Sequence, residues 1–311
     1  VSQEEIFVSD GAKPDIGRLQ LLFGNEAVVA VQDPAYPVYI DSTVMYGKTG
    51  NYDEKTNTFD NIAYMPCTPE NNFFPDLDKV RKADVIFFCS PNNPTGAVAT
   101  KAQLKQLVGY AKKNKSIIIY DAAYSQYIKD KNLPKSIYET DMAKEVAIEV
   151  NSFSKSAGFT GVRLGWTVIP NELKFDDGSL VRKDWNRVMT TLFNGASNIS
   201  QRGGLAALDN NGLKEMRQTV SYYMENAGII KSTLEKLGYE AYGGDNAPYI
   251  WAKMKGMKSW EAFDYLLEKA NIITTPGVGF GQSGEGFLRF SAFGHRKDIE
   301  EAAKRLEASL K

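Results

Sequence analysis

The first two thirds of the chain alternate short β-rich apolar runs with segments of helical periodicity. This pattern predicts strands at 27–32, 84–90, 116–121, 146–152 and 166–169. The clearest helix signal lies between the second and third of them, where Thr100 and Gln103 form a capping-box pair. Strands that alternate with helices are typical of crossover units on a mostly parallel sheet. We therefore predict an α/β domain.

A second pattern begins near residue 205 and predicts a smaller module. Apolar residues from Leu213 to Leu237 recur every three or four positions before Gly238, as in one long amphipathic helix. β-rich segments at 239–242, 248–254 and 286–290 follow, interleaved with helical patterns around 260–269 and 298–310. We predict a large α/β domain at 1–222, which ends in the long linking helix, and a small C-terminal α+β domain at 223–311.

Composition favours small molecules as partners. The 37 basic and 38 acidic residues nearly balance and form no basic block, which argues against nucleic acid or an anionic membrane. The apolar runs are far shorter than the roughly 20 residues that span a bilayer, so we expect a soluble protein. The two cysteines, Cys67 and Cys89, lack disulfide or metal-site spacing, and we expect no metal. The single histidine, His295, would have to serve alone in a histidine-based hydrolase or zinc site, and is more simply a surface residue.

The segment Ser152-Phe153-Ser154-Lys155 carries the strongest chemical signal. It ends a strand-like run, and Arg163 follows eight residues after the lysine in a stretch rich in glycine and hydroxyl groups. A lysine in these surroundings is suited to attach an aldehyde cofactor that bears a phosphate. The segment predicts pyridoxal phosphate (PLP) chemistry at Lys155.

A helix start near the N-terminus is a second candidate for anion binding. Gly11 and Pro14 precede apolar residues at helical spacing, and Ala12 and Lys13 lie at the start itself. Free backbone N–H groups at such a start can bind a phosphate. Many helices that begin in this way bind nothing, so the motif alone decides little.

Polar and aromatic side chains also follow three of the predicted strands. These are Tyr36, Asn93, and the pair Asp121 and Tyr124. Each has an ordinary explanation, namely a packed turn aromatic, a tight Asn-Pro loop, and an N-cap aspartate beside a packed tyrosine. Their shared position at the carboxyl edge of a parallel sheet instead favours ligand binding. There an aromatic ring can stack on a flat heterocycle, an amide and a phenol can bind a phenolate oxygen, and a buried carboxylate can pair with a protonated pyridine nitrogen.

Arg289 lies in an alternating apolar run near the end of the chain. A guanidinium in such a run either forms a structural ion pair or binds a ligand carboxylate through its two-pronged fork. An amino-acid substrate would bring an α-carboxylate. The residues alone leave both possibilities open.

These motifs, in this order and over essentially the whole chain, resemble those of the fold-type I aminotransferases. The sequences at 9–13, 89–96, 152–155, 158–170 and 193–197 are similar to those of the LL-diaminopimelate aminotransferase family. The resemblance implies an α/β fold of the fold-type I PLP-dependent transferases, with a mostly parallel sheet flanked by helices and a smaller C-terminal α+β domain. It implies conversion of LL-2,6-diaminopimelate and 2-oxoglutarate to tetrahydrodipicolinate and glutamate, in lysine biosynthesis.

The resemblance also implies a role for each candidate residue. Lys155 would attach the cofactor and shuttle a proton, with Asp121 and Tyr124 as further catalytic residues. The cofactor would be held by Ala12, Lys13, Tyr36, Asn93, Asp121, Tyr124, Ser152, Ser154, Lys155 and Arg163. The substrate would be bound by Lys13, Asn93, Asn194 and Arg289. Asn194, otherwise part of an ordinary Asn-Gly turn, would reach the site across the interface of a two-fold homodimer.

Members of the family carry a further N-terminal segment that contacts the substrate and the neighbouring subunit. Because this chain starts at Val1, after that segment, we expect it to be part of a longer protein rather than a truncated relative. We expect a cytoplasmic location, with the plastid stroma as the alternative for a plant or an alga.

Two other functions stay open on the sequence. A paralogue on the same scaffold could use another amino donor, such as lysine in the plant defence-associated branch, with unchanged cofactor residues. A regulatory or scaffold protein could bind PLP without transamination. The joint presence of Lys155, Asp121, Tyr124 and Arg289 argues against this last function.

We predict that the PLP-loaded chain shows the absorbance band of a lysine-linked cofactor and that Lys155→Ala abolishes it, because the linkage requires this amine. The measurement is an absorbance spectrum of both proteins after unbound PLP has been removed. A variant spectrum identical to that of the unaltered chain would contradict the prediction.

Overall fold

The computed structural model describes residues 1–310. The strands in this range are β1 (Ile6–Ser9), β2 (Val29–Asp33), β3 (Tyr52–Asp53), β4 (Thr58–Phe59), β5 (Ile62–Pro66), β6 (Val85–Cys89), β7 (Ile117–Asp121), β8 (Ala147–Ser152), β9 (Gly165–Val168), β10 (Ala241–Gly243), β11 (Tyr249–Lys253), β12 (Thr275–Pro276) and β13 (Phe287–Ser291). The α-helices in the same range are α1 (Ala12–Leu19), α2 (Val38–Met45), α3 (Lys101–Asn114), α4 (Phe153–Ser156), α5 (Val181–Leu192), α6 (Asn198–Leu208), α7 (Asn210–Lys236), α8 (Ser259–Ala270) and α9 (Arg296–Ser309).

The central sheet has seven strands in the order β1-β9-β8-β7-β6-β2-β5. The five strands from β8 to β5 pair in parallel, whereas β9 runs antiparallel to both β8 and β1. This confirms the predicted mostly parallel sheet. The five strands predicted from the sequence are present as β2, β6, β7, β8 and β9, with ends shifted by at most two residues.

Helices cover both faces of this sheet because its strands are apolar on both sides. Along β6, Phe87 packs into one core, with α1, α2 and α5, while Phe88 packs into the other, with α3. Helix α3 begins as predicted: the Thr100 side chain accepts a hydrogen bond from the Gln103 backbone N–H at 3.2 Å, and Gln103 Oε1 accepts one from the Thr100 N–H at 2.8 Å.

A second, antiparallel sheet has the order β10-β11-β13-β12 and packs against α7, α8 and α9. Val220, Ala227, Ile230 and Leu234 of the predicted long helix are buried in this core. The core also contains Tyr124, which follows β7 of the large sheet, so the two sheets meet there. The domain boundary at 222 stays a prediction, since α7 runs through it, and Lys311 of the predicted small domain lies outside the described residues.

The carboxyl edge of the large sheet collects several chain segments. Strands β2, β6, β7 and β8 end there, and β1 ends there too because it runs antiparallel to β9. The packing of these ends is close at Gly165, where a Cβ atom would lie 2.7 Å from the Asn151 carbonyl oxygen and 2.8 Å from Gly11 Cα. Only glycine therefore fits where β9 begins. Among residues 1–310, no helix combines the length and apolar character needed to cross a membrane.

We expect Gly165→Ala to lower the free energy of unfolding by about 1–3 kcal/mol, because the new methyl group meets backbone atoms that cannot move aside cheaply. Gly161→Ala is the matched control, since a Cβ there has no neighbour within 4 Å. Urea unfolding of the two variants is the measurement. Equal urea midpoints for the two variants would show that the close contact at Gly165 does not exclude a methyl group.

Candidate active site

A cavity of about 670 Å³ opens at the carboxyl edge of the large sheet and extends to the small sheet. Four basic side chains, Lys13, Lys155, Arg163 and Arg289, line it together with one acidic side chain, Asp121. The other lining residues predicted from the sequence are Ala12, Tyr36, Asn93, Tyr124, Ser152 and Ser154. The electrostatic balance of the cavity suits an anionic ligand.

Asn194 is the exception among the residues predicted to bind cofactor or substrate. It lies in the exposed loop after α5 and is not part of the cavity lining of a single chain. The structure therefore brings together every candidate residue except this one. The prediction that Asn194 reaches a site across a dimer interface is not tested by one chain.

Lys155 lies in α4, the single helical turn that follows β8. Ser152 starts this turn by accepting a hydrogen bond from the Ser154 N–H at 3.0 Å, and the Tyr127 hydroxyl donates to the Lys155 carbonyl at 2.8 Å. Burial, reinforced by the nearby charges of Arg289 and Lys13, lowers the pKa of the Lys155 amine. A larger share of this amine is therefore neutral and nucleophilic near neutral pH.

An anion-binding cradle lies where α1 begins. Gly11 has a φ of +122°, and a Cβ on it would lie 2.5 Å from Arg163 Nη2, so the guanidinium sits against the helix start. Arg163 itself has a φ of +67° and donates through Nη1 to the Thr160 carbonyl at 2.8 Å. A residue other than glycine in this left-handed region has a constrained backbone, as is common at functional sites. The helix N-terminus and the guanidinium together provide a site for a phosphate.

Asp121 is a buried carboxylate that forms no salt bridge within residues 1–310, although the Lys155 amine is near enough to attract it. It is 5% exposed and accepts hydrogen bonds from the Tyr39 hydroxyl at 2.9 Å and from the Ala123 N–H at 3.0 Å. Burial raises the pKa of Asp121, and these two bonds, together with the attraction of the Lys155 amine, only partly offset that effect. A cation in the cavity would stabilise the ionised form.

Tyr39 is a site residue that the sequence pattern does not single out. It lies in α2, three positions after the predicted Tyr36, and the two rings pack edge to face at 5.9 Å. Tyr36 precedes this helix, and its carbonyl accepts a hydrogen bond from the Tyr39 N–H at 3.3 Å, so the turn that positions Tyr36 also positions Tyr39.

Arg289 is a partly buried arginine whose guanidinium no carboxylate pairs with in residues 1–310. It donates to Asn93 Oδ1 at 2.8 Å and to Thr275 Oγ1 at 3.2 Å, and its Nε has no hydrogen-bond partner. The guanidinium carbon lies 4.5 Å from the centre of the Tyr249 ring. Of the two possibilities left open by the sequence, the structural ion pair is absent, which leaves a cation facing the cavity.

This fold and this cavity define an aminotransferase, and the chain belongs to that family: residues 1–306 match the description "Aminotransferase class I and II". The fold is the fold-type I architecture, and the chain is a PLP-dependent transaminase.

Individual relatives narrow the comparison. A protein of Oryza sativa subsp. japonica named "Probable LL-diaminopimelate aminotransferase, chloroplastic" is 59% identical over 100% of this chain and 67% of its own length. The "LL-diaminopimelate aminotransferase" of Protochlamydia amoebophila (strain UWE25) is 54% identical over 100% of this chain and 75% of its own length. The solved structure of L,L-diaminopimelate aminotransferase from Chlamydomonas reinhardtii superimposes with a TM-score of 0.97 at 57% identity, and the match covers 100% of this chain and 76% of that one.

The cavity fits PLP on three independent observations. Asp121 is buried and forms no salt bridge within the described residues, and a protonated pyridine nitrogen would supply one. The space between Gly11 and Arg163 forms a cradle that a single methyl group would fill. Lys155 lines the same cavity with an amine of lowered pKa.

We expect Gly11→Ala to weaken PLP binding roughly tenfold or more, because the methyl group displaces the guanidinium and the φ of +122° disfavours alanine. Gly17→Ala, in the same helix with no atom within 4 Å of its new Cβ, is expected to leave PLP binding unchanged. Equilibrium dialysis against PLP measures both. Equal dissociation constants for the two variants would show that the cradle does not bind the phosphate.

Proposed function

We propose that this chain transfers the amino group of LL-diaminopimelate to 2-oxoglutarate, which gives tetrahydrodipicolinate and glutamate. The observation that carries the proposal is the meeting of Lys155, the Gly11–Arg163 cradle and the unpaired Arg289 around one cavity. The relatives named for this reaction, at 54% to 59% identity over the whole chain, support the choice of substrate.

The cofactor-binding roles follow from the chemistry of each group. The Arg163 guanidinium, the backbone N–H groups at Ala12 and Lys13, and the hydroxyls of Ser152 and Ser154 hold the phosphate. Tyr36 packs on a ring face.

Asn93 and Tyr124 bind the phenolate oxygen of the cofactor. Asn93 Oδ1 is taken by Arg289, which leaves its Nδ2 group to donate.

The proton chemistry depends on Asp121 and Lys155. Bound PLP supplies an electron sink for the charge that develops at the substrate Cα. The Asp121 carboxylate keeps the ring nitrogen protonated, and the Tyr39 hydroxyl fixes that carboxylate in place. The Lys155 amine removes the proton from Cα, for which its lowered pKa is suited.

Substrate binding rests on carboxylate recognition. Arg289 binds the α-carboxylate as a two-pronged donor, because its guanidinium is already oriented by Asn93 and Thr275 and lacks an acidic partner. Lys13 adds a second cation at the cavity wall, where its amine lies 5.6 Å from the centre of the Tyr36 ring.

We also propose that the chain acts as a two-fold homodimer in which Asn194 completes the partner's site. Exposed apolar side chains surround this loop, and Ile199 is 85% and Leu205 61% exposed. Such a surface next to a residue that the family's pattern assigns to the substrate supports an interface there.

The predicted cytoplasmic location stays a prediction. The Oryza relative carries "chloroplastic" in its name, which supports the stroma alternative if the chain comes from a plant or an alga.

We expect the purified protein to exchange amino groups between LL-diaminopimelate and 2-oxoglutarate, with glutamate as the measured product. Arg289→Gln should raise KM for both substrates roughly 30-fold or more while PLP binding persists, because one partner of a buried charge pair is lost. Arg305→Gln, on the exposed face of α9, is the control and should keep the original KM.

Two results would contradict this proposal. Activity with lysine or aromatic amino acids but not with LL-diaminopimelate would identify the chain as a paralogue with another donor. An unchanged KM in Arg289→Gln would place the carboxylate site elsewhere.

A further inference from the structure

Tyr249 is a buried cavity residue to which the proposed function assigns no role. It begins β11 of the small sheet, and its hydroxyl lies 2.8 Å from that of Tyr124, at the end of the large sheet. Neither hydroxyl has another hydrogen-bond partner in residues 1–310. The bond therefore joins a side chain of the small sheet to a group proposed to contact the cofactor.

The position of Tyr249 is fixed by backbone packing. A Cβ on Gly243 would lie 2.5 Å from the Tyr249 carbonyl oxygen, and a Cβ on Gly96 would lie 2.9 Å from the same atom. Gly96 closes the loop that carries Asn93. The side chain is confined as well, since its ring packs edge to face on Tyr124, with ring centres 5.3 Å apart.

The two hydroxyls share one hydrogen bond, and either can donate it. Burial raises the pKa of both phenols, so each keeps its proton. If Tyr124 donates to Tyr249, its proton is not available to the cavity. If Tyr249 donates, the Tyr124 proton is free to point into the cavity, and an anionic oxygen there selects this second arrangement.

We propose that Tyr249 is a positioning residue that donates to Tyr124 and so directs the Tyr124 proton to the phenolate oxygen of PLP. This rests on the proposed function. A hydroxyl that accepts one hydrogen bond is polarised and becomes a stronger donor in the next. Tyr249 therefore strengthens the contact that Tyr124 makes and acts on the cofactor through Tyr124.

The test is a spectroscopic pH titration of PLP-loaded protein. The absorbance band reports the pKa of the lysine nitrogen that is linked to PLP. A hydrogen-bond donor to the phenolate oxygen withdraws negative charge that would otherwise hold a proton on this nitrogen. A weaker donor therefore raises the pKa that the band reports. We expect Tyr249→Phe to raise this pKa by about 0.3 pH unit or more. Tyr124→Phe should raise it further, and adding Tyr249→Phe to that variant should cause no additional shift.

Tyr138→Phe is the control for loss of a buried hydroxyl. Its hydroxyl donates to the carbonyls of Ala147 and Val168, and Tyr138 is not part of the cavity lining. This variant should unfold more easily than the unaltered chain but keep the original pKa of the band.

The outcomes separate this inference from the proposed function. An unchanged pKa in Tyr249→Phe, or an equal shift with and without Tyr124, would overturn the role of Tyr249 and leave the aminotransferase proposal standing. Absence of a PLP band in the unaltered chain would overturn both.

Discussion

The close contact between the backbones of Gly11 and Gly165 is the constraint on which the cavity depends. Neither position has room for a methyl group: one would meet the Arg163 guanidinium, the other the Asn151 carbonyl and Gly11 itself. This contact sets the start of α1 against β9 and β8. Because Lys155 follows β8 within one helical turn, the same packing determines where the lysine lies relative to the anion cradle.

The cavity contains charged groups that the protein itself does not pair. Neither Arg289 nor Asp121 forms a salt bridge among the described residues, whereas ion pairs such as Lys112 with Glu145 lie at exposed positions. Burial of unpaired charge costs folding free energy. Groups held in this way are oriented before a ligand arrives, which is how preorganised sites stabilise developing charge.

Much of the fold could be predicted from local patterns. The capping pair Thr100 and Gln103 marks the start of α3 in the sequence. The buried strands of the large sheet could be identified because they are largely apolar runs of several residues. Strands β1 and β5 were not predicted. β1 has only four residues, of which only Ser9 is buried, so its pairing with β9 is decided by contacts distant in sequence.

Site residues at or just after the end of a strand could be predicted to lie together from the residues alone, whereas the contact between Tyr249 and Tyr124 could not. Asn93 and Lys155 follow β6 and β8, and Asp121 ends β7, so parallel pairing alone places them at one edge. Tyr249 begins a strand of the other sheet, and its position next to Tyr124 depends on how the two sheets pack. The proposed contact of Asn194 lies in a second copy of the chain, and the sequence pattern of one chain does not show which residues of two copies meet.

Every role assigned to the cavity depends on Lys155 as the residue to which PLP attaches. The most direct measurement is reduction of the PLP-loaded chain with borohydride, followed by mass spectrometry of its peptides. We expect the phosphopyridoxyl group on the peptide that contains Lys155. Recovery on Lys13 or on a surface lysine, with Lys155 unmodified, would contradict it.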